Sequence, residues 1–433
     1  MNTQAIAGET CPVNIIIPVY RNLAVTRRCL DSVLASDLPP YASITVIEDA
    51  SPEHDLSTYC HTLADEGRVR LLVNEKNQGF VATANRGFAE DPDADVLLLN
   101  SDTEVANDWV HRLRACAYRD ERIGTTTPFS NNGSICSYPF FPGPGPMPGL
   151  WDTADLDNLF RSANEHCSAQ IPTAVGFCMF IKRQCLSEVG GFDEKNFGLG
   201  YGEECDFSIR ALEKGWKSVI ASDVYVFHEG AVSFAEESDE RKERADVVMQ
   251  NLHPGYDEQV TRFIQDDPLL IFRRNVDSLR LRQKPEDAAN IFEEFAQSQS
   301  VLKKRAADIY SVLQSERKVR EAQEETLRES LQKSVWLEKE LAKHVELCGW
   351  QKQELSRLGE IEKHIKAESK SLSNLLQQSR VEFSQTDEAL TQAQQLVAQS
   401  REHEAQLCEQ IIQIQQSRSW RYTAWLRRLT GSL

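Results

Sequence analysis

The sequence holds no run approaching the ~20 apolar residues of a membrane-spanning helix, and its N-terminus has no charged-then-apolar leader. A cytosolic protein is the expectation. It has no cationic surplus either. Among 433 residues, 48 Lys and Arg face 66 Asp and Glu, and the net charge of −18 speaks against general nucleic-acid binding. The 11 cysteines never fall at Cys-x-x-Cys spacing and mostly sit in apolar runs, as Cys29 and Cys178 do. That pattern fits reduced, buried thiols rather than a disulfide framework or a thiolate cage. Prolines end at Pro285, so nothing of that kind breaks a helix beyond it. A chain of this length is too long for one core and implies two or more units.

What is present between residues 11 and 270 is an alternation of strand and helix patterns. Val13–Tyr20, Ser43–Asp49, Val69–Val73 and Asp95–Leu99 are short apolar runs bounded by polar turn residues, the pattern of buried strands. Ala24–Ser36, Leu56–Ala64 and Phe80–Phe88 lie between them with helical spacing; Val25, Cys29, Val33 and Leu34 share one face of the first. Further strands are expected at Ala174–Ile181 and Val224–His228. The alternation predicts an α/β domain with a mostly parallel, doubly wound sheet. In such sheets ligands bind at the carboxyl ends of the strands.

Those ends carry Tyr20, Asp49 and Asp102. An aromatic ring beside a carboxylate can stack on a nucleobase and accept its N–H. Asp102 follows the run Val96–Leu99 directly, through Asn100 and Ser101. It is placed to hold a hard divalent cation, which usually shares its shell with substrate phosphates. Taken singly, each of these residues is more often a turn or packing residue. Further on, Glu203, Glu204 and Asp206 cluster at a helix start, where acids suit the dipole. Clustered carboxylates also raise one another's pKa, which suits a general base. His228 ends a strand pattern, and neutral imidazole is a common metal ligand.

In their order these segments resemble a family-2 glycosyltransferase of the GT-A fold. The motifs are IPVYRN at Ile17–Asn22, VIEDAS at Val46–Ser51, NQGFVATANRG at Asn77–Gly87 and LLLNSDT at Leu97–Thr103. GGFDE at Gly190–Glu194, GEECDFSIR at Gly202–Arg210 and HEGAVSF at His228–Phe234 follow. The likeness is nearest to rhamnosyltransferase-like members that build bacterial surface polysaccharides such as O-antigen. It implies an inverting transfer of a sugar from a nucleotide-diphosphate donor with Mg²⁺ or Mn²⁺. By motif match, Tyr20 and Asp49 would meet the base and ribose, and Pro18, Asn85, Arg86 and Asn100 the nucleotide sugar. Asp102 and His228 would meet the metal. Glu204 would be the base, with Asp206 and Glu203 as substitutes. Two positions depart from the family pattern. Asn100 stands where the metal motif usually begins with Asp, and Glu204, one methylene longer, stands where the base motif has Asp.

After Pro285 the chain becomes rich in Gln, Glu, Lys, Ser and Leu. With Leu302 at position d, one heptad register runs to Ile414, placing Ile309, Leu337, Leu358, Ile365 and Leu372 at d and Leu313, Leu327, Leu376 and Phe383 at a. A sustained 3.5-residue repeat needs a partner helix and predicts a coiled coil, with a homo-oligomer as the expected source of the partner and a rod on the order of 170 Å. The tail from Ser417 changes character: Arg418, Arg421, Arg427 and Arg428 alternate with Trp420, Tyr422 and Trp425, and no acid follows Glu409. That composition suits a helix lying on an anionic membrane surface. It also resembles an element of bacterial polysaccharide glycosyltransferases that act near lipid-linked acceptors.

The expected organisation is a catalytic domain at 11–270, a helical linker at 271–300, a coiled coil at 301–416 and a basic aromatic tail at 417–433. The expected activity is sugar transfer to a growing glycan or lipid-linked acceptor at the inner face of the plasma membrane. Two rivals stand beside it. A nucleotidyltransferase of similar fold would carry a glycine-rich phosphate loop after its first strand, and Tyr20-Arg21-Asn22-Leu23 offers none. A non-catalytic scaffold or chain-length regulator would explain the departures at Asn100 and Glu204.

Overall fold

The structure, a computed structural model, describes residues 11–198, 200–230, 238–347 and 352–416. The chain forms two compact units, residues 1–298 and 299–433. The expected tail beyond residue 416 lies outside the described residues.

The first unit opens with β1 (Val13–Val19), α1 (Leu23–Ala35), β2 (Ala42–Glu48), α2 (His54–Asp65), β3 (Arg70–Val73), α3 (Phe80–Glu90) and β4 (Asp95–Leu99). These are the strands and helices read from the apolar pattern, shifted by one or two residues at their ends. A two-residue β5 (Thr103–Glu104), α4 (Trp109–Ala117), β6 (Ile123–Phe129), α5 (Thr153–Ala163), β7 (Ser168–Ile171) and β8 (Cys178–Ile181) follow. Then come α6 (Arg183–Val189), α7 (Glu194–Phe197), α8 (Glu203–Glu213), β9 (Lys217–Tyr225) and β10 (Phe227–His228). Eight strands form one sheet in the order β3-β2-β1-β4-β8-β6-β9-β7. The pairs along β3-β2-β1-β4 and the pair β6-β9 are parallel, while β8 and β7 run antiparallel to their neighbours. The domain is thus α/β with a mixed, mostly parallel sheet.

Both faces of the sheet are covered, as an apolar parallel core requires. Ile15, Ile17, Leu97 and Leu99 face Cys29, Leu30, Leu56 and Trp109 from α1, α2 and α4. Their neighbours Ile16, Val96 and Leu98 point the other way, against Val81, Phe88, Leu186 and Phe207 from α3, α6 and α8. Gly87 is required by that second layer: a Cβ there would stand 2.5 Å from Ile16 Cγ2, so only glycine lets α3 lie this close to the sheet. Among the described residues the cysteines are free, and most are buried. No helix among them is long and apolar enough to cross a membrane.

Three helices extend the unit: α9 (Ser238–Leu252), α10 (Tyr256–Asp266) and α11 (Leu270–Gln283). Residues 271–298, read from sequence as the start of a linker, lie within this unit. Arg280 is fully buried. It donates to Asp287 (2.7 Å), to both oxygens of Glu294 (2.7 and 3.0 Å) and to the Tyr138 hydroxyl (2.8 Å). Trp151 Nε1 also donates to Asp287 (2.7 Å), so one buried ionic cluster pins α11 to the Pro/Gly-rich segment that follows β6.

The second unit corrects the picture of one continuous rod. Its helices belong to α12 (Ala288–Leu347) and α13 (Lys352–Gln416), which pair with each other in antiparallel fashion. Arg317 meets Asp387 (3.1 Å), Arg320 meets Glu382 (3.1 Å) and Glu324 meets Arg380 (3.3 Å). The Arg317 guanidinium lies 5.3 Å from the Phe383 ring centroid. In α13 the expected a and d positions face inward, among them Ile365, Leu372, Leu376 and Phe383. In α12 the a positions Leu313 and Leu327 are half-buried, but the d positions Ile309 and Leu337 are 42% and 39% exposed. Arg317, Glu324 and Leu331, at position e, take their place. The packed stripe of α12 mixes apolar and charged residues, so a count of apolar residues keeps the a positions but places the second seam at d, one residue short of the inward e positions. The partner helix that a heptad stripe needs comes from the same chain.

Removing the charge of Arg280 leaves two carboxylates without their counter-ion in the interior. Arg280→Met is expected to cost about 3–5 kcal/mol in denaturant unfolding. Arg320→Ala, at an exposed pair of the second unit, is expected to cost less than about 1 kcal/mol. Equal losses would mean that the buried cluster is no stronger than a surface pair.

Candidate active site

The carboxyl ends of β1, β2 and β4 lie side by side, and Tyr20, Asp49 and Asn100–Asp102 emerge from them. Asp49 is buried. Its carboxylate accepts from Asn74 Nδ2 (2.6 Å), Gln78 N (2.8 Å) and Gly79 N (3.0 Å). A carboxylate offers about four lone-pair directions, so Asp49 shapes the Gln78–Gly79 turn and retains one for a ligand. Gly79 has φ +83°, and a Cβ would stand 2.8 Å from the Gly198 carbonyl, which explains the glycine in that turn. Pro18 lies within β1, paired beside Ile47.

Arg86 donates to the Val73 carbonyl (2.8 Å) and to Asn74 Oδ1. Asn85 is a strut: it accepts from Phe192 N (2.8 Å) and donates to Phe192 O (2.9 Å) and Glu194 Oε1 (2.8 Å). Both line a cavity of about 610 Å³ with Asn74, Gln78 and Glu194. Asn74 links Asp49 to Arg86 and escaped the sequence reading, because it stands just past a strand assigned to end at Val73.

The residues expected at a metal come together. Antiparallel pairing of β5 with β10 sets His228 opposite Thr103, and His228 Nε2 lies 3.3 Å from Asp102 Oδ1. His228 Nδ1 donates to the Asn132 carbonyl (2.8 Å), which leaves Nε2 to face the carboxylate. Asn131 brackets the same residue, accepting from His228 N (2.8 Å) and donating to His228 O (3.0 Å). The Phe177 ring stacks on the imidazole, 5.1 Å between centroids at 14°. Burial disfavours the charged imidazole, but the hydrogen bond and charge of Asp102 and the Asn132 carbonyl outweigh it and hold the pKa above the ordinary value. Asn131 and Asn132 were not foreseen: they follow β6, a Thr-rich strand that the apolar pattern does not mark.

The donor set fits a hard divalent cation. Asp102 supplies a carboxylate, His228 a nitrogen, and Asn100 Oδ1 is buried with no partner. Among the described residues no three acidic, His or Cys side chains form a cage. Such a cation would complete its shell with substrate phosphates, the usual mode for Mg²⁺.

The acid cluster divides by its hydrogen bonding. Asp206 is fully engaged: Oδ1 lies 2.8 Å from His253 Nε2 and Oδ2 accepts from Arg210 Nε at 2.7 Å. Glu203 and Glu204, by contrast, each keep a buried Oε2 without a partner. Burial raises both pKa values. The Glu204 charge pushes Glu203 further, while backbone hydrogen bonds from Gly202, Cys205 and Gly176 moderate the rise at Glu204. Ala174–Phe177, expected as strand, is a loop leading into β8, and it joins the two halves of the site. A Cβ at Gly176 would lie 3.6 Å from the Glu204 carboxyl carbon. The next residue, Phe177, stacks on His228, and its carbonyl accepts from Asn100 N (2.8 Å).

The family model described as Glycosyltransferase like family 2 matches residues 11–245. An uncharacterized protein of Sinorhizobium fredii, y4gI, is 24% identical over 294 residues, which is 64% of this chain and 28% of that protein. The N-acetylglucosaminyl-diphospho-decaprenol L-rhamnosyltransferase of Mycobacterium tuberculosis is 27% identical over 191 residues, 38% of this chain and 60% of that one. The chain therefore spans less than two thirds of either relative. Among solved structures, a mannosyltransferase of Pyrobaculum calidifontis in complex with GDP-Man and Mn²⁺ aligns with a TM-score of 0.42 at 12% identity. That alignment covers 68% of this chain and 81% of that one.

If Asp102 supplies the one strand-end carboxylate at the cation, Asp102→Ala should lose Mn²⁺-dependent binding of nucleoside diphosphate while keeping its circular dichroism. Calorimetry with UDP, GDP and dTDP, each with and without Mn²⁺, measures this. Equal affinity in variant and parent would remove Asp102 from the site.

Proposed function

The chain belongs to glycosyltransferase family 2, and from that premise we propose that it is an inverting, divalent-cation-dependent transferase in which Glu204 is the general base. The observation that carries the reading is the partnerless buried oxygen of Glu204, set beside Gly176 and one residue from the ring that stacks on His228. An acceptor hydroxyl attacks the anomeric carbon of the donor sugar from the side opposite the diphosphate. Its proton passes to Glu204, the new glycosidic C–O bond forms, and the bond to the diphosphate oxygen breaks. A cation held by Asp102 and His228 would supply Lewis-acid neutralisation of the departing diphosphate. Tyr20 and Asp49 would hold the base and ribose, and Arg86 would line the donor side of the cavity. Asp206 would have a supporting role, because both its oxygens are already bound.

The donor proposed is a nucleotide-linked deoxyhexose such as rhamnose, and the acceptor a lipid-linked glycan precursor of a bacterial surface polysaccharide. The similarity to the Mycobacterium tuberculosis rhamnosyltransferase supports both. The run of Arg and Trp between Arg418 and Arg428 supports peripheral contact with the inner face of the plasma membrane. Association of copies through the second unit is supported by Ile309, Val312 and Val319 of α12, which are 42%, 58% and 56% exposed.

Two experiments test the reading. A panel of UDP-, GDP- and dTDP-linked hexoses, with and without Mn²⁺, is assayed for nucleoside-diphosphate release. Glu204→Gln should lower turnover by about 100-fold or more and leave donor binding in place. A base whose pKa is raised by burial loses its working, deprotonated form at a higher pH. The acid limb of the parent's rate profile should therefore lie above the ordinary glutamate value of about 4.3. An active Glu204→Gln enzyme would move the role to another group.

In the second experiment, deleting residues 418–433 should release the protein from anionic liposomes without changing nucleoside-diphosphate release. Each Arg near such a surface contributes about 1 kcal/mol, and raised salt should weaken the parent's binding. Equal co-sedimentation of both forms would assign the tail to another partner.

A further inference from the structure

The turn between α9 and α10 reaches back to the helix that carries the proposed base. His253 follows α9, Tyr256 opens α10, and Pro254-Gly255 joins them, Gly255 with φ +89°. Both residues stand beyond the family-matched stretch 11–245. Yet they bind the two residues that come directly after Glu204. Tyr256 donates its hydroxyl to Cys205 Sγ at 3.1 Å and lies 3.5 Å from Thr173 Oγ1. His253 Nε2 stands 2.8 Å from Asp206 Oδ1, where its N–H donates to the carboxylate. The side chains of His253 and Asp206 are 11% and 4% exposed, so water does not substitute readily for this contact.

The opposite side of the same helical turn is tied as well. Arg210 holds Asp206 Oδ2 at 2.7 Å and also donates to the Val189 and Gly191 carbonyls. Ser208 Oγ donates to the Glu204 carbonyl (2.7 Å) and accepts from Ala174 N (3.0 Å). The turn of α8 that carries Glu204 is thus tied through Asp206, Cys205 and the Glu204 carbonyl, while Glu204 Oε2 is left without a partner. A glutamate has one more rotatable bond than the aspartate usual at this position. Its carboxylate is well aimed only if the backbone beneath it does not move.

We infer that His253 and Tyr256 are positioning residues for Glu204, supplied by a segment outside the family-matched region and holding the first turn of α8 against the Thr173–Gly176 loop. This rests on the proposed role of Glu204 as base. Neither side chain needs to touch substrate. Their loss acts on the aim of the carboxylate, and a displacement on the order of 1 Å can cost 10²-fold in rate.

The test compares kcat and donor KM in the full-length chain for His253→Ala, His253→Gln, Tyr256→Phe and Glu204→Gln. The readout is nucleoside-diphosphate release from the UDP-, GDP- and dTDP-linked hexoses with Mn²⁺. His253→Ala and Tyr256→Phe are expected to lower kcat at least about tenfold with donor KM within about twofold, since the donor side is built from β1, β2 and β4. His253→Gln, whose amide can still donate to Asp206, is expected to restore most of the rate. Tyr256→Phe removes a single hydroxyl and carries the test if His253→Ala does not fold. Parental kcat in both variants, with Glu204→Gln inactive, would overturn the positioning role, as would a change confined to KM. An active Glu204→Gln enzyme would instead overturn the base assignment beneath it.

Discussion

Two residues of β5 paired with two of β10 determine whether the site exists at all. In the sheet, β4 and β9 are separated by β8 and β6, so chains leaving their carboxyl ends would diverge. The ribbon turns them back toward each other and sets Asp102 against His228. The space between is filled from the intervening strands: Phe177 where antiparallel β8 begins, and Asn131 and Asn132 where β6 ends. Residues at or just beyond the ends of all four strands thus meet around the Asp102–His228 pair. A ribbon this short has little stability of its own. It holds because Asn131 bonds both backbone groups of His228 and the Asp102 carbonyl accepts from Glu229 N at 2.9 Å.

Several carboxylates of the first unit are tied up in hydrogen bonds, while Glu203 and Glu204 of the candidate site each keep a buried oxygen without a partner. Asp206 is closed off by His253 and Arg210, and Asp287 and Glu294 by Arg280. Each such pairing removes a reactive group from solution chemistry and converts it into a brace. Asn100 Oδ1, Glu203 Oε2 and Glu204 Oε2 are left buried and partnerless. An unsatisfied buried polar atom costs about 1–3 kcal/mol, and these three lie at the carboxyl edge of the sheet and the first turn of α8. Burial raises the pKa of both adjacent carboxyls, and the Glu204 charge pushes Glu203 further.

The first half of the domain was legible because β1, β2 and β4 are apolar on both faces and stop at polar residues. Their ends, Tyr20, Asp49 and Asp102, could be picked out by position alone. β6 and β7 were missed because Ile123–Phe129 is rich in threonine and contains Pro128, and Ser168–Ile171 is an edge strand with little apolar character. Losing β6 meant losing Asn131 and Asn132, the residues that orient His228. The run Ala174–Ile181 is apolar throughout, yet its first half is a loop, because it must curve past Glu204 before pairing begins at Cys178. In the helical unit, periodicity found the right face of α13 and the a positions of α12, but missed that Arg317 and Glu324 at e, rather than the d residues, complete the α12 face.

The antiparallel pairing of α12 with α13 also restricts how such a chain can change length over evolutionary time. In a parallel rod built from identical copies, one seven-residue deletion shortens every strand together and leaves the seam intact. In a hairpin, the same deletion in one arm strands seven residues of the other without opposite numbers, and the charge pairs Arg317–Asp387 and Arg320–Glu382 fall out of step. Lengthening or shortening is therefore tolerated only when both arms change together. Related chains that keep this antiparallel pairing should differ in length by matched pairs of heptads, one in each helix.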